Sequence, residues 1–293
     1  MNAATHPLDW HFHIFSMLAI PTLLLGYLTV TREGDRRPSR RQFALFMTGL
    51  VVLLGAVFWP LGDLAAHWSL LALVLQRLLL TLAVPPLLAA GTPRPVLAQL
   101  TRPAPIDAVL RVIVRPAPAV AVVTVVAVGT LTTGAVTLAS QSDLARACIE
   151  IVVLLSGFVL WAPVLSELPG TTRLSAVGRG GYLIVQSIVP SFLSVIWIFA
   201  RRPLYSSYTH HGTFADMSPV LDQQLAGFLA KLSTIAVLWT VAFTIMTRAS
   251  VTTGAEDDPE PLHWTDVERE IERADRRDRR VQPQEPPSIP PAD

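Results

Sequence analysis

Long apolar stretches separated by short polar segments dominate the chain. Each stretch holds roughly 20 residues with few charges, which is the length that crosses a bilayer as an α-helix. The predicted spans are residues 12–30, 42–59, 68–90, 118–139, 147–165, 182–200 and 224–247. The pattern therefore predicts an all-α, polytopic membrane protein with seven transmembrane helices.

The composition agrees with a membrane protein. Hydrophobic residues make up 51% of the chain and charged residues only 15%, whereas a soluble domain carries about 25% charged residues. The net charge of +1 does not indicate nucleic-acid binding. Cys148 is the one cysteine, which excludes an intrachain disulfide and a zinc site built on paired cysteines.

Arginine placement predicts the orientation, because basic loops stay on the cytoplasmic side. The segment TREGDRRPSRRQ after the first span contains five arginines, and the loops after the third and fifth spans are also arginine-rich. These three loops share one side if there are seven spans. The prediction is a bacterial plasma-membrane protein with its N-terminus outside and its C-terminus inside.

The last residues differ from the rest of the chain. We predict a transmembrane domain over residues 1–248 and a cytosolic tail over 249–293. Within the tail, TDVEREIERADRRDRR starts with a capping-box spacing and predicts a short charged helix. The proline-rich end, QPQEPPSIPPAD, is typical of disorder.

Three charged residues interrupt the apolar spans: Arg77, Glu150 and Lys231. Counted from the outer ends of their spans, each lies roughly 12–15 Å deep, about half of a 30 Å hydrocarbon core. Each would cost about 2.5–3.5 kcal/mol alone at a helix centre. We expect them to face inward and pair, with Glu150 serving Arg77, Lys231 or both, and with Gln76, Cys148 and Gln186 around the same volume.

Two interpretations of this cluster remain open. It is either a buried salt bridge that fixes helix register, or a polar site for an ion, a proton or a metal. Snorkelling side chains or misplaced span boundaries would remove the cluster altogether. Soluble-type catalytic motifs, such as a P-loop, H-E-x-x-H or a nucleophile elbow, do not occur, so no enzyme is predicted.

Four motifs occur in order along the chain: LTLAVPPLLAAGTPRP, SGFVLWAPVL, RRPLYSSYTHHG and SPVLDQQLAGF. On this layout the chain resembles the CtaG-like family of cytochrome c oxidase assembly factors, seven-span proteins implicated in supplying copper to the oxidase. The likeness runs from residue 10 to about 247, and the tail resembles actinobacterial members. It implies a role in oxidase biogenesis, with membrane lipid and oxidase subunits as partners.

The chain departs from that family where metal ligands are expected. The family typically has two histidines four apart in span three, a histidine early in span five, and Met-Trp in span seven. Those positions here hold Leu73 and Arg77, Glu150 or Ile151, and Ala230 and Lys231. The hypothesis is that an Arg77–Glu150–Lys231 cluster replaces the metal as the link between three spans.

Copper is the only cofactor that the resemblance implies. The soft and imidazole groups available to bind it elsewhere are Cys148, Met17, Met217, His67, His210 and His211. The best candidates for a role common to the family are Tyr205, Asp222, Gln223 and Gln224, which are predicted at the outer end of the helix bundle. Asp222 is also predicted to cap a helix.

Two functions follow from these patterns. The first is oxidase assembly, either by delivering copper or by a chaperone-like interaction with proteins. The second is ion or proton transport through the buried Arg77, Glu150 and Lys231.

Overall fold

The computed structural model describes residues 14–32, 36–113, 115–165, 174–209 and 217–256. These residues form α-helices joined by short turns, and they contain no β-strand, which confirms the all-α prediction. The α-helices are α1 Ile14–Val30, α2 Arg40–Val57, α3 Leu61–His67, α4 Leu70–Leu78, α5 Val84–Gly91, α6 Arg94–Thr101, α7 Ala104–Ile113, α8 Pro116–Thr130, α9 Thr133–Gln141, α10 Asp143–Trp161, α11 Ala176–Phe199 and α12 Pro219–Glu256.

Five helical segments of the described chain are long and apolar enough to cross a membrane: Arg40–His67, Leu70–Gly91, Asp143–Trp161, Ala176–Phe199 and Pro219–Ser250. The pair α8 and α9 makes a sixth if it counts as one bent span. The first predicted span corresponds to α1, which has 17 residues, fewer than the roughly 20 that cross a bilayer. Seven spans and the orientation of the termini stay predictions.

Span three is an interrupted helix. A π-helical turn, Leu79–Ala83, joins α4 to α5 just before two prolines. Pro85 has no N–H to donate to the Thr81 carbonyl one turn earlier. The Trp161 indole of α10 donates to that carbonyl instead, at 3.0 Å. The Trp161 indole therefore replaces the backbone hydrogen bond that Pro85 cannot donate, and this contact joins the Trp motif to the Pro-Pro motif.

The same interruption lies against Gly157 of α10. A Cβ atom on Gly157 would lie 2.7 Å from Cγ of Pro85, and 2.9 Å from both the Leu80 carbonyl oxygen and the Thr81 Cα. Two of these three neighbours are backbone atoms, which cannot rotate away. Gly157 therefore permits the close approach of α10 to the π-helical turn.

We expect Gly157→Ala to lower the free energy of unfolding by about 1–3 kcal/mol, because the added methyl overpacks this contact. The matched control is Gly55→Ala in α2, where a Cβ has no atom within 4 Å. That change should be neutral or raise stability by up to about 1 kcal/mol, since alanine favours the helix. Denaturation midpoints in detergent compare the two, and equal midpoints would contradict the packing argument.

Span four is bent by 64° between α8 and α9. At the bend, the Leu131 carbonyl accepts a hydrogen bond from the Tyr205 hydroxyl at 2.6 Å. The Thr132 hydroxyl caps α9 by accepting the Ala135 N–H. The bend is thus stabilised by side chains that satisfy the interrupted backbone.

The chain divides into two units, Met1–Met246 and Thr247–Asp293. The first contains α1 to α11, most of α12 and all the site residues described below. The predicted charged helix and proline-rich end of the tail lie outside the described residues, so the tail prediction stays untested.

Candidate functional site

Asp222 joins two distant parts of the chain. It lies in the first turn of α12, is buried, and accepts hydrogen bonds from the Ser69 hydroxyl at 2.6 Å and the Leu70 N–H at 2.7 Å. The Leu71 N–H approaches the same carboxylate at 3.4 Å. The carboxylate therefore caps the N-terminus of α4, where exposed N–H groups and the helix dipole favour an anion.

The sequence predicted that Asp222 caps a helix N-terminus by accepting backbone N–H bonds, and the helix that it caps is α4 and not its own α12. The Ser218 hydroxyl accepts the Leu221 N–H at the start of α12. This leaves the Asp222 carboxylate available to the helix that carries Arg77. The capping interaction thus becomes a tertiary contact between spans three and seven.

The two glutamines after Asp222 contact the segment between α11 and α12. Gln223 is buried, and its Oε1 accepts the Leu204 N–H at 2.8 Å. Gln224 donates to the Ala200 carbonyl at 3.5 Å. The D-Q-Q motif therefore positions both α4 and the segment that contains the two buried tyrosines.

Tyr205 and Tyr208 lie side by side in that segment, with ring centroids 6.3 Å apart. The Tyr208 hydroxyl donates to the Ala65 carbonyl at 2.7 Å, just as Tyr205 donates to Leu131. Burial raises the pKa of both phenols, so they remain neutral hydrogen-bond donors at physiological pH. The sequence analysis selected Tyr205 and not Tyr208 as a site residue. The position of Tyr208 three residues after Tyr205, in RRPLYSSY, could have indicated that the two lie together.

Arg77 is buried in α4, 9% exposed, and its Nε and Nη1 have no hydrogen-bond partner among the described residues. It interacts electrostatically with Glu150 and with Tyr208. Arg77 and Glu150 therefore interact through their charges.

Glu150 is buried in α10, where its Oε1 accepts a hydrogen bond from Gln76 at 3.0 Å. The same Gln76 amide donates to the Ala56 carbonyl of α2, also at 3.0 Å. Gln76 is only 2% exposed. The side chain that joins α2, α4 and α10 is thus a neutral amide, which the sequence indicated only as a lining residue.

Lys231 is half-buried in α12. Ala230 and Thr234 of the same helix line a cavity together with Arg77. Consecutive side chains of an α-helix point about 100° apart around its axis, so the Lys231 side chain points away from the direction of Ala230. Within the described ranges the ion pairs found do not involve Lys231. In the described residues α12 thus turns Ala230 and Thr234, and not Lys231, toward the cavity beside Arg77, and the three-residue cluster stays a prediction.

The candidate copper ligands that the structure describes lie on different helices. Cys148 is exposed on α10, and His67 is half-buried at the end of α3. His210 and His211 lie outside the described residues. Across the described part of the chain, no group of three or more His, Cys, Asp or Glu side chains could hold a metal ion.

The positions where the resemblance places ligands do not fit a copper centre. Leu73 is a buried apolar side chain without a donor atom, and Arg77 introduces a buried cation. Like charges repel strongly where water is excluded, so a copper ion beside Arg77 would be disfavoured.

These features define a polytopic helical membrane protein with an interior ordered by buried polar contacts. Residues 23–251 match the family of cytochrome c oxidase caa3 assembly factors (Caa3_CtaG), and the chain belongs to this family. The resemblance identified from the four motifs is thus confirmed. Comparisons with curated proteins and with solved structures gave no match.

Proposed function

We propose that this protein assists the assembly of a cytochrome c oxidase in a bacterial plasma membrane, as a seven-span protein with its N-terminus outside. The family match over residues 23–251 supports the proposal, since it covers all the long apolar helices of the described chain. Its role is non-catalytic, and its partners are oxidase subunits or other respiratory-chain proteins.

The proposed mode is chaperone-like interaction with those partners, without copper held between α4, α10 and α12. Arg77 is the observation that supports this mode, because a buried guanidinium lies at an expected ligand position. Gln76, Glu150 and Asp222 join the same helices by hydrogen bonds. The interior can thus be ordered without a metal.

A copper-delivery mode is the second candidate. Cys148 is exposed on α10 and offers a soft ligand for Cu(I). In this mode copper is cargo bound transiently at the surface, together with His67, His210 or His211.

The test is deletion of the gene in its native host, followed by complementation. We expect deletion to lower the amount of assembled oxidase, measured by haem absorbance and by copper per oxidase. Added copper should not restore assembly, and a variant with Cys148→Ser, His67→Ala, His210→Ala and His211→Ala should complement like the parent. Rescue by copper, with failure of that variant, would establish delivery instead.

Unchanged oxidase levels after deletion would contradict the assembly role itself. In that case flux assays in proteoliposomes would test the transport alternative. Ion or proton flux that is lost on Glu150→Gln, and kept on the exposed-site change Asp143→Asn, would support a pathway through the buried charges.

A further inference from the structure

A cavity lies at the centre of the helix bundle, on one side of Arg77. Helices α4, α8, α10, α11 and α12 enclose it, and its volume is about 100 Å³. Most of its lining is aliphatic, for example Val74, Val123, Leu160 and Leu238. A volume of this kind is large enough for a ligand group and not only for a single water molecule.

Two buried side chains in this lining carry polar atoms that have no hydrogen-bond partner among the described residues. Arg77 contributes Nε and Nη1, and Gln186, which is 2% exposed, contributes Oε1. Buried polar groups are nearly always satisfied in folded proteins, so such an exception calls for an occupant. Two unsatisfied cationic donors require an acceptor, and a negatively charged acceptor forms the strongest bond with them.

Glu150 does not fill this requirement. Its Oε1 accepts the hydrogen bond from Gln76, and its side chain lines a different pocket together with Leu18, Leu23 and Leu53. Glu150 therefore does not contribute to the lining of the cavity, although its charge is felt by Arg77. The cavity side of Arg77 has no carboxylate in its lining within the described ranges.

The cavity reaches the apolar surface of the bundle. Val128 of α8 belongs to its lining and is 44% exposed. In a membrane this surface faces lipid chains, so the accessible ligands are those dissolved in the bilayer. The space admits a carboxylate and the first methylene groups of a chain.

We propose that this cavity binds the carboxylate head of a long-chain fatty acid, which enters from the bilayer and pairs with Arg77. The acyl chain lies along the aliphatic lining and leaves the bundle past Val128. The Gln186 amide oxygen accepts a hydrogen bond from the protonated acid, or from a water molecule that accompanies the carboxylate. This site goes beyond the assembly role, and its test does not depend on oxidase.

The test uses the purified full chain in nanodiscs of zwitterionic lipid. The probe is a fatty acid brominated close to its carboxyl group, which quenches tryptophan at short range. Trp197 is 2% exposed and lines the cavity, so we expect saturable quenching that disappears in Trp197→Phe. The brominated methyl ester, which lacks the charge, should give only the weak non-saturable quenching of lipid-facing tryptophans.

Arg77→Leu should weaken the saturable phase at least tenfold, and Arg77→Lys should keep most of it. Ala230→Leu provides a second variant that leaves Arg77 in place and fills the cavity, and it should also abolish saturation. Its matched control is Val125→Leu at an exposed position of α8, which should bind like the parent.

Four results would overturn the proposal. The first is saturable binding that survives both Arg77→Leu and Ala230→Leu. The second is equal binding of the acid and its methyl ester. The third is saturation by brominated phosphatidylglycerol and not by the fatty acid, which would assign the site to a phosphate head. The fourth is the absence of any saturable phase in the folded parent.

Discussion

Asp222→Ala should lower the free energy of unfolding by about 3 kcal/mol. The change removes the acceptor for the Ser69 hydroxyl and for the Leu70 and Leu71 N–H groups. Hydrogen bonds to a charged group contribute about 1.5–3 kcal/mol each, and a lost helix cap alone costs about 1 kcal/mol. The loss is large because these donors are buried at the start of α4 and cannot turn to water.

The measurement is a denaturation midpoint in detergent, together with hydrogen exchange at the start of α4. Exchange at Leu70 and Leu71 should accelerate, whereas amides in α10 should change only with global stability. Asp143→Ala is the matched control, because Asp143 lies in the first turn of α10 with its side chain 79% exposed and pairs with Arg146. Its expected cost is below about 1 kcal/mol.

Equal losses for Asp222→Ala and Asp143→Ala would show that the carboxylate of Asp222 does not cap α4. A second arm uses Ser69→Ala, because the Ser69 hydroxyl donates to Asp222 and accepts the Ala72 N–H. The two substitutions should be less than additive, since they remove one connected network.

Hydropathy was sufficient to place the long helices, because an uninterrupted run of about 20 apolar residues has few alternatives to a spanning helix. It was less accurate where the backbone is interrupted. The bend at Leu131 depends on a hydroxyl of Tyr205, 74 residues further along the chain. The π-helical turn in span three depends on the indole of Trp161. Periodicity within one segment carries no information about such distant donors.

The candidate site, too, could be predicted only in part. Burial of Arg77 and Glu150 could be predicted, because an ionised side chain is too costly to face lipid. The residues that they contact could not be predicted, since pairing depends on how each helix is rotated about its axis. A rotation of one residue turns Lys231 away and Ala230 toward Arg77, and the amide of Gln76 bonds Glu150 instead. Polar contacts across helices are decided by packing, which a single sequence does not reveal.

The largest effect should come from Glu150→Ala, with a loss of about 3–5 kcal/mol, as for one partner removed from a buried charge pair. This change leaves the Arg77 guanidinium buried without its negative neighbour, and it removes the acceptor that Gln76 uses. Glu150→Gln should cost less, because its amide oxygen can still accept from Gln76. The measurement is again the denaturation midpoint in detergent.

The charge interaction can be separated from packing by a double-mutant cycle. If Arg77 and Glu150 stabilise each other, Arg77→Leu combined with Glu150→Leu should cost clearly less than the sum of the single changes, with a coupling of at least about 1 kcal/mol. Additive losses would mean that the two charges are independent.

Lys231→Ala decides between the pair and the three-residue cluster. Lys231 is half-buried and turned away from Arg77, so its coupling to Glu150 should be near zero. A Lys231–Glu150 coupling as large as that of Arg77 would restore the cluster and require α12 to rotate by about 100° in the membrane.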